Sequence, residues 1–119
     1  MIVGMCLRVV IVDDHARFRA QAAELLTREC FSVVGDADTG ESGVELSRQL
    51  APDVVLLDVG LPDANGFDLV PAMHATGAAV VLTSSRASQD YGHRVEDSGA
   101  EGFISKVELS GEAIRSLLR

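Results

Sequence analysis

Three runs of consecutive branched apolar residues, Val9–Val12, Val54–Leu57 and Val80–Leu82, constrain this chain more than any other feature. Each is short and uninterrupted, without the polar alternation of a strand that wets one face. Continuous runs of this length suit strands covered on both faces, as in a parallel sheet sandwiched by helices. The intervening segments have the pattern those helices need. Phe18, Ala22, Leu25 and Leu26 recur at i, i+4, i+7 and i+8, an apolar stripe after a first strand near Leu7–Val12. A short strand is expected at Phe31–Gly35. Thr39 then caps a helix reaching Leu50, with Val44 and Leu46 facing inward. Pro52 separates that helix from the run ending at Asp58. A third helix should begin near Asn65–Gly66 and fray by Pro71–Gly77, and Ala79–Leu82 makes a fourth strand ending in Thr83. A weak helix over Ser88–Ser98 carries Gly92, Gly102–Ser105 forms a short fifth strand reaching Lys106, and Ser110 caps a last helix. Five strand–helix units of this kind predict an α/β, doubly wound parallel sheet.

The 119 residues suffice for one domain with a single core, and 47% apolar content places the chain among globular proteins. A net charge of −8, with the arginines scattered, argues against direct binding of nucleic acid. The uncharged span Leu69–Ser85 contains Pro71, His74, Gly77 and serines, so it is no membrane helix. The apolar start is broken by Arg8 and followed by Asp13 and Asp14, a first strand and not a leader peptide. Cys6 and Cys30 match no metal or redox spacing and are expected to be small buried fillers in a cytoplasmic protein.

In a doubly wound sheet, ligands gather beyond the carboxyl ends of the strands. At those ends stand Asp13 and Asp14 (first strand), Asp58 (third), Thr83 (fourth) and Lys106 (fifth), the only lysine in the chain. Adjacent aspartates repel each other unless something positive sits between them. Three acidic oxygens at one point form a ligand set for a hard cation, Mg²⁺ or Mn²⁺. A lysine and a hydroxyl opposite can hold phosphate oxygens, and a carboxylate beside a metal can itself attack phosphorus. The constellation therefore points to phosphoryl transfer, which needs chiefly positioning and charge neutralisation.

With these residues in view, the chain resembles the receiver domain of two-component response regulators over essentially residues 1–119. The matching segments are "VVIVDDH", "PDVVLLDVGLPDANGFDL", "VVLTSS" and "GAEGFISK". The resemblance implies a flavodoxin-like sheet of strand order 2-1-3-4-5 with five helices. It implies that Asp58 is the phosphoacceptor, that Asp13 and Asp14 form the acidic pair, and that the backbone carbonyl of Gly60 joins Asp13, Asp14 and Asp58 around the metal. Thr83 matches the switch hydroxyl, Lys106 the phosphate-pairing lysine, and Phe103 the aromatic that turns inward on activation. Pro62 and Gly66 match the turn after the phosphoacceptor. The implied partners are a histidine kinase or phosphotransfer protein and an output protein on the face of the last two helices and fifth strand, with a phosphorylation-dependent dimer among the possible outputs.

Gly60 and Val107 depart from common family patterns; a glycine at position 60 leaves the site more open to water. Two other readings compete. A Mg²⁺-dependent phosphohydrolase with an aspartyl-phosphate intermediate would need an acid/base carboxylate where Gly60 stands, and a substrate cap. The receiver half of a DNA-binding transcriptional regulator would need a longer parent chain. The histidines His15, His74 and His93 lie in unrelated segments and read as surface or loop residues.

Overall fold

A computed structural model describes residues 6–119, so the reading of the first five residues lies outside the described residues. Among the described residues, five parallel strands, β1 (Leu7–Val12), β2 (Phe31–Ala37), β3 (Val54–Asp58), β4 (Ala79–Ser84) and β5 (Gly102–Ser105), lie in the order β2-β1-β3-β4-β5. This is the flavodoxin-like topology, with the strand order reversing between β1 and β3. The helices are α1 (Ala16–Arg28), α2 (Gly40–Leu50), α3 (Gly66–His74), α4 (Arg94–Ser98) and α5 (Gly111–Leu118).

The apolar runs behave as uninterrupted hydrophobicity requires. Val9–Val12 are fully buried, and side chains on successive residues serve opposite faces. Val9, Ile11, Val54, Leu56 and Val81 join Ala22 and Leu26 of α1 and Ile114 of α5 in one core layer. Val10, Val12, Val55, Leu57, Val80 and Leu82 join Val44 of α2 and Phe67, Val70 and Met73 of α3 in the other. Burying each such side chain stabilises the fold by roughly 1.5–3 kcal/mol.

The caps fall where small polar residues precede the helices: Thr39 accepts from Ser42 N–H, Asn65 from Phe67 N–H and Ser110 from Ala113 N–H. The helix α3 runs through Pro71 and ends at His74, within the expected Pro71–Gly77, because Val70 and Met73 are wholly buried and hold the turn where proline forfeits a hydrogen bond. Two expectations need correction. The span Ser88–Ser98 is not one helix: a 3-10 turn over Ser88–Tyr91 ends at Gly92, whose φ of 59° breaks the path before α4. Strand β2 continues past Gly35 to Ala37, through an irregularity in its pairing with β1 between Val9 and Val10.

Candidate functional site

The carboxyl ends of β1, β3, β4 and β5 converge as the topology requires. Asp58 is the last residue of β3 and pairs in register with Thr83 of β4, while Lys106 follows directly on β5. Asp13 follows β1, tied to the neighbouring β2 by its N–H to the Ala37 carbonyl at 3.0 Å. The side chains of Asp13 and Asp58 are 1% and 5% exposed, so two of the three carboxylates are buried close together.

Lys106 bridges them unequally. Its Nζ lies 2.7 Å from Asp13 Oδ2 and 3.7 Å from Asp58 Oδ2. The Lys106 ammonium also stands 4.6 Å from the centre of the Phe18 ring of α1, a cation–π contact. The lysine thus neutralises mainly Asp13 and only in part Asp58. Burial, the charge of Asp13 and, more weakly, that of Asp14 outweigh the lysine and the Gly60 N–H, which reaches Asp58 Oδ1 at 3.4 Å. The Asp58 carboxyl is pushed up from its ordinary 3.8 to about 6. At neutral pH it is ionised yet more basic than a common aspartate.

Two features of the pocket invite a ligand. Thr83 Oγ1 is buried without a hydrogen-bond partner among the described residues, and Asp13 Oδ2 has the charge of Lys106 beside it but no aligned hydrogen bond from them. Four donor atoms, one each from Asp13, Asp14, His15 and Asp58, also lie within 4.8 Å of one another. A donor set dominated by carboxylate oxygens, with excess negative charge expressed in the raised Asp58, fits a hard divalent cation. Asp14 is more open than Asp13, in keeping with a ligand at a water-facing mouth.

His15 is the site residue that sequence reasoning missed. Its ring is 65% exposed, yet Nδ1 sits 3.0 Å from Asp13 Oδ1 and 3.2 Å from Asp14 Oδ1, and its backbone N–H donates to Asp13 at 2.8 Å. The only available signal was its position beside the paired aspartates. Among the other histidines, His74 meets Glu101 at 2.8 Å, far from the acidic cluster in the chain, and helps hold that carboxyl below its ordinary value.

The loop after β3 is shaped by glycine. Gly66 donates to the Val59 carbonyl at 2.8 Å, and a Cβ there would stand 2.4 Å from the Asp58 carbonyl oxygen. At Gly60 a Cβ would meet nothing within 4 Å, so the side of the pocket next to Asp58 is open. On the opposite flank, Phe103 is half-buried, its ring 5.8 Å from that of Tyr91. The Tyr91 hydroxyl meets Ser84 Oγ, one residue beyond Thr83, at 2.6 Å. Tyr91 therefore links the strand end that holds Thr83 to the pocket of Phe103, a connection that spacing in the sequence did not show.

Residues 9–118 match the family model of the response regulator receiver domain. The chain belongs to that family. Residues of the chain are 33% identical over 112 positions to the virulence-factor transcription regulator BvgA of Bordetella pertussis, covering 92% of this chain and 53% of that protein. They are 29% identical over 113 positions to the DNA-binding transcriptional activator EvgA of Escherichia coli, covering 93% and 55%. The chain thus spans about half the length of these curated relatives. The signal receiver domain of the response regulator NarL from Mycobacterium tuberculosis superposes with a TM-score of 0.81 at 31% identity, covering 95% of this chain and 94% of that one. This receiver domain is accordingly a component of two-component phosphorelay signalling.

Proposed function

We propose that Asp58 is the phosphoacceptor of this receiver domain, taking a phosphoryl group from the phosphohistidine of a histidine kinase or phosphotransfer protein. One observation carries the reading: a buried, unusually basic carboxylate faces the only lysine of the chain at the end of β3, beside a further pair of aspartates. An Asp58 carboxylate oxygen attacks phosphorus, the N–P bond of the donor breaks, and its imidazole leaves with a proton. Mg²⁺ (or Mn²⁺), held by the Asp13, Asp14 and Asp58 carboxylates and the Gly60 carbonyl, would supply charge neutralisation at the phosphoryl oxygens.

Lys106 needs to move only from its closer partner Asp13 toward the new phosphoryl oxygens. The unpartnered hydroxyl of Thr83, in register with Asp58, gains there the acceptor it otherwise lacks. Its movement draws on the Ser84–Tyr91 contact and frees room for Phe103. The remodelled surface is that of α4, β5 and α5, and it engages an output protein or a second phosphorylated copy of the chain. Turnover of substrate is not the task of this site, although slow self-hydrolysis through the open side at Gly60 is expected. The setting is the cytoplasm; no helix among the described residues is long and apolar enough to cross a membrane.

A second reading concerns the parent chain. The names and double length of BvgA and EvgA favour this domain being the receiver half of a DNA-binding regulator, with the acidic receiver itself making no contact to nucleic acid. The phosphohydrolase reading has less support, since Gly60 offers no acid/base group two residues after Asp58. Intact mass after incubation with acetyl phosphate, with Mg²⁺ and with chelator, tests the assignment. One phosphoryl group should be gained in Mg²⁺ only, and none by Asp58→Asn; an undiminished gain by that variant refutes it.

A further inference from the structure

At the sheet edge opposite the acidic pocket, β1 and β2 begin side by side, with Leu7 paired to Phe31. Cys6 and Cys30 stand one residue before that pair, on neighbouring strand starts. Parallel neighbours lie about 4.8 Å apart, inside the roughly 4.4–6.8 Å between Cα atoms that a disulfide tolerates. Both thiols are free, and their sulfurs are 2.7 Å apart, Cys6 half-buried and Cys30 exposed. The expectation of small buried fillers is corrected, since neither cysteine is buried; 24 residues separate them in sequence, and the strand register brings them into contact.

The backbone adds a second observation. Cys30 follows the cap of α1 with a φ of 68°, the left-handed position where helices usually place glycine. A side chain is retained there at a conformational cost, and that side chain is the one touching Cys6. The turn is also fastened to the last helix. The Glu29 carboxylate accepts from Gly111 N–H at the start of α5, Arg115 donates to the Glu29 carbonyl, and the Arg115 guanidinium lies 4.5 Å from the centre of the Phe31 ring.

We propose that Cys6 and Cys30 are a redox modification site that closes reversibly to a disulfide, tying the α1–β2 turn, and with it the base of α5, to β1. The oxidant class is a peroxide. The exposed Cys30 sulfur attacks one peroxide oxygen, the O–O bond breaks, and a sulfenic acid and one water form. The Cys6 sulfur then attacks the Cys30 sulfur, and the sulfenic hydroxyl leaves as a second water with the Cys6 proton. Two thiols have lost two electrons to one peroxide. The hydrogen bond to Cys30, with burial, raises the Cys6 thiol above its ordinary range, consistent with Cys6 being the thiol that waits and Cys30 the sulfur first oxidised. A dithiol reductant of the cytosolic kind reopens the bond by exchange.

Purified protein treated with hydrogen peroxide, then alkylated under denaturing, non-reducing conditions and weighed intact, tests the site. The wild type should lose two hydrogens in mass and take up no alkyl group, with one Cys6–Cys30 cross-linked peptide in the digest; dithiothreitol should restore two alkylation sites. Cys6→Ser should leave Cys30 as a sulfenic acid that dimedone traps. A wild-type protein that still takes up two alkyl groups, or that cross-links only between chains on a non-reducing gel, overturns the proposal.

Discussion

Replacing Asp58 by asparagine removes one charge from the pocket while keeping its size and an oxygen for the Gly60 N–H, and it should stabilise the domain. The rise of the Asp58 carboxyl from 3.8 to about 6 means that its ionised form is disfavoured in the fold. At about 1.4 kcal/mol per pH unit, that gap corresponds to about 3 kcal/mol above pH 6. Water at the mouth of the pocket, where Asp14 and His15 are exposed, screens part of this, and the asparagine loses the attraction of Lys106 at 3.7 Å. A net gain on the order of 1–2 kcal/mol is expected, or a rise in Tm of roughly 4–8 °C. The sign with pH follows from linkage. The folded state binds this proton more tightly than the unfolded state, so the wild type is relieved of the penalty below pH 3.8 and bears it fully above about 6. Urea unfolding of both proteins in chelator, at several pH values between 4 and 8, should therefore show a gap that is widest at pH 8 and closes as pH falls through about 6. Equal stability at pH 8, or a gap that widens toward pH 4, would refute the account of Asp58 as a buried carboxylate held against its neighbours' charge.

The remaining variants probe the other groups of the pocket. Lys106→Ala leaves the Asp13 carboxylate, 1% exposed, without its cation and should cost about 3 kcal/mol in chelator; added Mg²⁺ should recover part of that in the same urea titration. Thr83→Val removes a buried hydroxyl that has no partner, so stability without phosphate should be unchanged or rise by up to about 1 kcal/mol; a clear loss would mean that the hydroxyl is bonded. Gly66→Ala drives a Cβ to 2.4 Å from the Asp58 carbonyl oxygen and should cost about 1–3 kcal/mol and weaken Mg²⁺ binding by calorimetry. Gly60→Ala, whose Cβ would meet nothing within 4 Å, is the control and should leave stability unchanged.

The sheet and the rim that carries the chemistry were both readable from the apolar runs of the chain. Runs such as Val9–Val12 and Val54–Leu57 have no polar face to offer water, so they must be covered on both sides, and the residues that end them are carried to one rim. Asp13, Asp58, Thr83 and Lys106 were legible for that reason: Asp58 ends a strand, Asp13 and Lys106 follow one, Thr83 is the last but one of its strand, and strand position is a local property. Contacts between elements are encoded by no local period and arise only in the folded chain. Lys106 lies closer to Asp13 than to Asp58, with its ammonium also on the ring of Phe18 of α1, a choice among carboxylates equally placed in the sequence. His15 enters the acidic cluster through the turn after β1, and Tyr91 reaches Ser84 only because Gly92 breaks the expected helix into a 3-10 turn and α4. Cys6 and Cys30 touch because β1 and β2 start in register, joined by the crossover α1, whose Ala22 and Leu26 pack on the sheet face that carries Val9 and Ile11. Burial pattern is written residue by residue along the chain, whereas these pairings arise from crossovers and side-chain packing that exist only once the layers close.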